Sequence, residues 1–281
     1  MHAESTYNVQ TAAGLLKSDY PDHNRTDSSK FIEATYYFKP VEVDDSQPFT
    51  ELSFLQRTSH LGISYSNTDR EMEQWSTTTL QPLRVYGNLY VGDFFLLASH
   101  SVLPDTVITK TTLNQSWNYA NTQTTLHLGY FVLPSTSLSL THSQSVSSQA
   151  SIAGSAQVND KTTISNGLNV HTVHSLSKQD AIAADIFISR ISNSDSSTPG
   201  DNTAYGFGVR YFPAMNWYLQ GGYASNDGDS TNARGNTLNW GAGYQFNTQL
   251  GLLFNASHFM TSDNAAGSDR STSQLALTYR F

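Results

Sequence analysis

Cysteine is absent from the 281-residue chain, so neither a disulfide framework nor a thiolate metal site can organise the fold. Charge is scarce as well. Asp, Glu, Lys and Arg together make up 14% of residues, against roughly a quarter in soluble domains. Apolar residues do not fill the gap, because at 38% they are too few for a large dry interior. No run approaches the ~18 consecutive apolar residues of a membrane-crossing helix. Basic clusters with interleaved aromatics are missing and the net charge is −8, which argues against nucleic acid as a partner. The start, "MHAESTYNVQ", lacks the positive and apolar regions of a signal peptide. On that basis the chain is either cytoplasmic or a mature form whose signal has been removed.

What replaces charge and grease is serine, threonine, asparagine and glycine, with aromatics at 12%. These residues are arranged with a period of two. In "TAYGFGVRYF" Tyr205, Phe207, Val209 and Tyr211 alternate with Gly206, Gly208 and Arg210. In "TLNWGAGYQF" Leu238, Trp240, Ala242 and Tyr244 alternate with Asn239, Gly241, Gly243 and Gln245. The last residues, "STSQLALTYRF", repeat the pattern with Leu275, Leu277, Tyr279 and Phe281. Period two is the mark of a strand whose faces meet different surroundings, and helical periodicity is almost absent.

Strands are expected near residues 4–17, 29–39, 59–69, 77–91, 93–103, 115–133, 137–147, 162–176, 181–193, 203–213, 216–226, 236–247, 249–261 and 272–281. Tight aromatic turns such as "YFVLPST" and "YFPAMNW" alternate with polar loops such as "NSDSSTPGDN" and "SDNAAGSDRS". Short turns at one end, long loops at the other and aromatics at the boundary describe an all-β chain folded as a transmembrane antiparallel up-and-down β-barrel. Fourteen strands in one domain over residues 1–281 is the expectation, with twelve or sixteen as alternatives. Residues 40–56 are too long for a tight turn and too apolar for an outer loop, and are expected to form a periplasmic-side excursion. Residues 143–163 are expected to be a long loop. These two segments are the candidate occluders of the lumen.

The stretch "ATYYFKPVEVDDSQPFTELSFLQRTSHLGISY", residues 34–65, carries a resemblance. Its aromatic strand end, V-x-V element, "ELSFLQ" segment and following strand "SHLGISY" are similar to those of a family of Gram-negative outer-membrane porins, the 14-stranded small porins of the Acinetobacter type. The hairpins and the final "LTYRF" are similar too. The resemblance implies an outer-membrane channel of a Gram-negative bacterium, present here as the mature chain. Leu275, Leu277, Tyr279 and Phe281 resemble the terminal aromatic signal read by the barrel-assembly machinery. The expected surroundings are outer-membrane lipid and lipopolysaccharide.

In such a barrel the pore is lined by residues out of phase with the apolar sets: Glu33, Tyr37, Arg84, Tyr86, Asn88, His127, Asn169, His171, Asp185, Arg210, Gln220, Asn239, Gln245 and Arg280. Acidic and basic groups together would set a field that orients small polar solutes; the plainer alternative is that they pair and hold the barrel's shape. Trp217, Trp240, Tyr244, Tyr211 and Phe281 are expected in an interfacial girdle rather than a ligand-stacking set. Asp227 and Asp229 in "NDGD" lack the spacing and terminal glutamate of a calcium loop. His142 with Ser143 and Ser145 invites a hydrolase reading, but no G-x-S-x-G elbow occurs. The histidines lack metal-ligand spacing.

No catalytic, cofactor or metal site is therefore expected, and the function expected is passive diffusion of water, ions and small polar solutes through a narrow lumen. A barrel-resident hydrolase or protease, and an occluded structural or adhesive barrel, are the alternatives. Two outcomes follow from sequence alone. Neutralising Arg84 or Arg210 should shift the reversal potential in a bilayer towards cation selectivity, and deleting residues 148–158 should raise conductance.

Overall fold

A computed structural model of the chain describes residues 5–44, 46–72, 78–110, 115–151, 158–193, 200–227, 234–261 and 269–281. Its strands are β1 (Thr6–Tyr20), β2 (Arg25–Glu42), β3 (His60–Met72), β4 (Thr78–Leu80), β5 (Leu83–Val91), β6 (Phe94–Lys110), β7 (Gln115–Leu133) and β8 (Thr136–Ser151). They continue with β9 (Val158–Ser175), β10 (Ala181–Asn193), β11 (Gly200–Ala214), β12 (Trp217–Asp227), β13 (Gly235–Gln245), β14 (Leu250–Thr261) and β15 (Arg270–Arg280). β4 and β5 both pair with β3 and are two pieces of one wall strand, interrupted at Gln81–Pro82, so the wall has fourteen strands.

Each strand pairs antiparallel with its sequence neighbours, and β1 pairs with β15 from Gln10↔Arg280 to Asp19↔Ser271. The sheet is therefore a closed antiparallel barrel, as the alternation predicts. The apolar sets lie outside: Leu15, Ile32, Ile63, Leu128, Ile186, Phe207, Trp240, Leu277 and Tyr279 are all exposed. Their neighbours one residue away point inward. Prolines sit where the ladder can spare a donor. Pro40, Pro104 and Pro213 fall in three of the four register shifts, Tyr7/Val9, Leu103/Thr106 and Tyr211/Ala214, and Pro82 in the β4–β5 interruption.

One end of the barrel carries tight turns at 92–93, 134–135 and 215–216, slightly longer ones at 176–180 and 246–249, both chain ends and the 43–59 segment. The other end departs from strict alternation. Residues 18–28, expected to lie between strands, are instead strand on both sides of a one-turn 3₁₀ helix, Pro21–His23. The long loop expected at 143–163 is also mostly wall. β8 runs to Ser151, β9 starts at Val158, and Ser143↔Ser165 through Ala150↔Val158 are paired; residues 152–157 lie outside the described residues. Alternating Ser, Thr and Gln there look like a loop by composition, yet a ladder continuing beyond the apolar band needs no greasy face. Of the range 148–158, residues 148–150 and 158 are therefore paired wall. The segment expected over 40–56 begins later, since β2 continues to Glu42.

Two glycines make a test of the wall. A Cβ on Gly14, beside the β1–β15 closure, would sit 2.3 Å from the Leu275 carbonyl oxygen and 2.7 Å from the Phe31 ring, whereas one on Gly208 would meet open space. Gly14→Val should destabilise the barrel by about 1–3 kcal/mol, the usual cost of overpacking, and Gly208→Ala should leave its denaturation midpoint unchanged.

Candidate functional site: a plug at the turn end of the lumen

Residues 46–59 do not hang outside the barrel. They fold back into its turn end around the short helix α1 (Leu52–Leu55). The segment is closed on itself: Glu51 donates its backbone N–H to Pro48, Leu55 donates to Glu51, and Thr58 to Ser53. The Gln56 side chain clamps the exit to the start, accepting from Glu42 N–H at 2.9 Å and donating to Glu42 C=O at 2.7 Å. The alternation of apolar residues in "FTELSFLQ" then spreads anchors in several directions. Phe49 packs with Val173, Ala181, Ala183, Phe212, Met215 and Tyr218 on β9–β12 and the turn after β11. Leu52 packs with Tyr7, Tyr37 and Val41 on β1–β2. Phe54 lies 4.9 Å from Phe131 on β7 and meets the His171 ring edge-on at 4.4 Å. The segment spans the lumen as a plug.

Its one carboxylate inside the barrel, Glu51, is 4% exposed and is held by the wall. Arg210 Nη1 donates to Glu51 Oε1, and His171 Nε2 lies 3.2 Å from Glu51 Oε2. The other ring nitrogen of His171, Nδ1, is 2.7 Å from Asp185 Oδ1. A neutral imidazole donates from one nitrogen only, so both contacts are made together by the imidazolium. The result is a charge-alternating chain, Arg210–Glu51–His171–Asp185, crossing from β11 through the plug to β9 and β10. Burial on its own would raise the Glu51 carboxyl, but the hydrogen bond from His171 and the charge of Arg210 more than offset this and hold it below the usual glutamate value. Arg280 adds a second tie, donating from Nη2 to the Phe49 carbonyl at 3.0 Å and from Nε to Gln10 Oε1 at 3.0 Å.

All fourteen residues expected in the lumen lie on the inward phase of their strands, in separate groups. Arg210, His171 and Asp185 meet at Glu51. Gln220 accepts from Arg210 Nε and donates to Asn255 Oδ1 at 2.8 Å, with Asn239 lining the same space. Tyr37 packs edge-on against Tyr7, and Gln245 binds the Asn247 carbonyl in the β13–β14 turn. On the opposite wall Tyr86 is 2.5 Å from Thr35 Oγ1 and Arg84 stacks over the Tyr86 ring. There Glu33 and Arg84 flank Ser64 in register, and Asn88 pairs with His60. His127 and Asn169 share the Thr141 hydroxyl. Glu51, Phe49 and Leu52 were not expected in this role. The available signal was a lone carboxylate within an apolar segment opposite an inward arginine. The hydrolase candidates separate: His142 bonds Asn166, while Ser143, one residue on and so on the other face, bonds Thr125. The "NDGD" loop, from Gly228 on, lies outside the described residues.

Above the plug, two polar cavities of about 350 and 370 Å³ share Arg210, Gln220 and Asn255. Below it, a cleft of about 580 Å³ opens between the plug and the turns at 176–180, 215–216 and 246–249. The cleft and the nearer cavity share two lining residues, Phe49 and Arg280. That pair stands between them.

A closed fourteen-stranded antiparallel barrel with an apolar outer band and polar lumen has the fold of the outer-membrane β-barrels. No family model and no curated protein matches the chain. Among solved structures it is similar to the Acinetobacter baumannii outer membrane protein Omp33, with 16% identity and TM-score 0.55, covering 99% of this chain and 100% of that one. It is also similar to a deletion mutant of the Pseudomonas putida monoaromatic hydrocarbon channel TodX (10% identity, TM-score 0.53, 99% and 90% covered). The translocator domain of the Neisseria meningitidis autotransporter NalP matches at 12% identity and TM-score 0.52, with 100% and 90% covered. At these identities the likeness is one of fold.

Removing one partner of a buried ion pair costs about 3–5 kcal/mol, so Glu51→Ala should unseat the plug, read as faster proteolysis within residues 46–59 of an otherwise intact barrel. Because its folded value is lowered, Glu51 contributes in full above the ordinary glutamate value, and the contribution is lost as pH falls through the lowered one. The same proteolysis should be slow at pH 7 and accelerate only under distinctly acidic conditions.

Proposed function

We propose that the protein is an outer-membrane channel for passive, non-catalytic diffusion of small polar solutes, closed at its periplasmic end by the 46–59 plug. The observation that supports this best is the pair of cavities that share Arg210, Gln220 and Asn255 above the plug, with Phe49 and Arg280 lining both the nearer cavity and the cleft below. A lumen meant only to hold a barrel together has no need of such space. The glycines explain where part of the space comes from: Gly208 and Gly222, paired between β11 and β12, line the 350 Å³ cavity.

In this reading the end bearing the tight turns faces the periplasm and the apolar band meets membrane lipid, with lipopolysaccharide in the outer leaflet. Leu275, Leu277, Tyr279 and Phe281 engage the assembly machinery before β15 closes on β1. Solutes cross down their gradient, at a rate set by how often the plug leaves its seat. Expected small conductance reflects a seated plug, not a missing pore.

Planar-bilayer recording of refolded protein tests this. Wild type should give small, flickering conductance. Replacing residues 46–57 with a short Gly-Ser linker should raise it several-fold, and Gly208→Trp, which fills open space, should lower it. If neither wild type nor the plug-replaced form conducts, the barrel is an occluded structural one and the channel reading fails.

A further inference from the structure

Arg280 is 5% exposed, yet among the described residues no carboxylate ion-pairs with it. Its partners are neutral: the Gln10 amide oxygen, the Phe49 carbonyl, and the Tyr7 ring beneath its guanidinium at 4.8 Å. A buried cation without a counter-ion is costly in a low-dielectric setting, even when its N–H groups are satisfied. Arg210 is the second guanidinium lining the same 370 Å³ cavity. Among the described residues no acidic side chain lines that cavity; the remaining polar lining is hydroxyl and amide, from residues such as Gln10, Thr50, Ser53 and Asn255. Two guanidinium forks facing one polar space without an acid in its wall make an anion site. Planar carboxylates match the fork, and Glu51 already shows one on Arg210.

We propose that Arg210 and Arg280 bind a small carboxylate-bearing solute on the lumen side of the plug, and that this solute competes for the contacts seating the plug. The competition is direct. Arg210 Nη1 holds Glu51 and Arg280 Nη2 holds the Phe49 carbonyl, so a dicarboxylate spanning both arginines takes both ties at once. Losing them frees Phe49, which lines both the cavity and the cleft below. The solute class that the site concentrates is then also the class that opens the way out. The cavity has room for on the order of ten heavy atoms, at about 30 Å³ for each water-sized group. The release step rests on the channel reading; the binding step does not.

Binding is measured by calorimetry on the refolded, detergent-solubilised full chain, with sodium succinate against neutral succinamide at matched ionic strength. Succinate should bind and succinamide should not. Arg210→Gln should weaken succinate roughly tenfold, the scale of one charge-assisted contact, with barrel content unchanged by circular dichroism. Arg280→Lys, which keeps the charge but not the fork, guards against Arg280→Gln failing to assemble and should weaken it as well. In bilayers, succinate on the lumen side should raise open probability in wild type but not in Arg210→Gln. The proposal is overturned if wild type does not bind succinate, if succinamide binds equally, or if a correctly folded Arg210→Gln binds unchanged. Chloride conductance of wild type separates the two readings: conductance without succinate binding removes this site and keeps the channel, and binding without conductance does the reverse.

Discussion

In a hydrocarbon solvent an unpaired backbone N–H or C=O costs several kcal/mol, and a sheet has two edges full of them. The ten paired positions between β1 and β15 dispose of both edges at once. Everything else in this molecule is arranged around that closure. It forces the apolar residues outward and leaves the lumen to whatever is out of phase with them. It also explains why the hydrophobic fraction can be so low without a loss of order. The barrel is held by its ladder, and the apolar residues are there to match the solvent.

Closure creates a second problem, because fourteen strands enclose more space than inward side chains can fill. The chain solves it unevenly. On the β2–β7 side the inward positions carry Phe31, Tyr37, Tyr86, Tyr90, Phe95 and Phe131, which occupy the lumen themselves. On the β11–β14 side they carry glycines: Gly208 and Gly222 line open lumen, while the space over Gly243 is taken by the Tyr218 ring and that over Gly241 by Asn255 and Gln220. The plug fills the turn end between these sides, and both buried apolar clusters gather around it: one on Phe49, one on Leu52. The conventional core of this protein is thus a stopper in a pipe.

The alternation that makes the wall was legible in the sequence because period two is a local property. Tyr205, Phe207, Val209 and Tyr211 need no knowledge of their partners to declare a face, and the inward assignment of Arg210 or Asp185 follows from counting. What was not legible depends on distance. Strand ends at 143–163 were hidden, since serine and threonine alternate identically in a loop and in a ladder standing clear of the membrane. The role of Glu51 was hidden because its partners are 159 and 120 positions away, on strands that meet only after the barrel has closed. Arg210 and His171 were placed correctly as inward groups, but the residue that unites them came from outside the wall.

The plug and the wall are also separable in energy. Among the described residues, a single backbone-to-backbone hydrogen bond, from Phe49 N–H to the Met215 carbonyl at 3.1 Å, joins residues 46–58 to the barrel. The other ties are made through side chains, among them the Arg210–Glu51–His171 chain, Arg280 on Phe49, Arg57 on Asp93, Gln56 on Glu42 and the two apolar clusters. None of them is part of the ladder, so the plug can leave without unpairing a strand. The wall and the plug are thus held by two separate sets of bonds, and in the proposed channel only the second set has to give. The charge chain makes that set responsive, because each link is a group that a passing ion or a change in pH can compete for. The aromatic packing of Phe49 and Phe54 supplies the dry part of the same seat, which neither an ion nor a proton competes for.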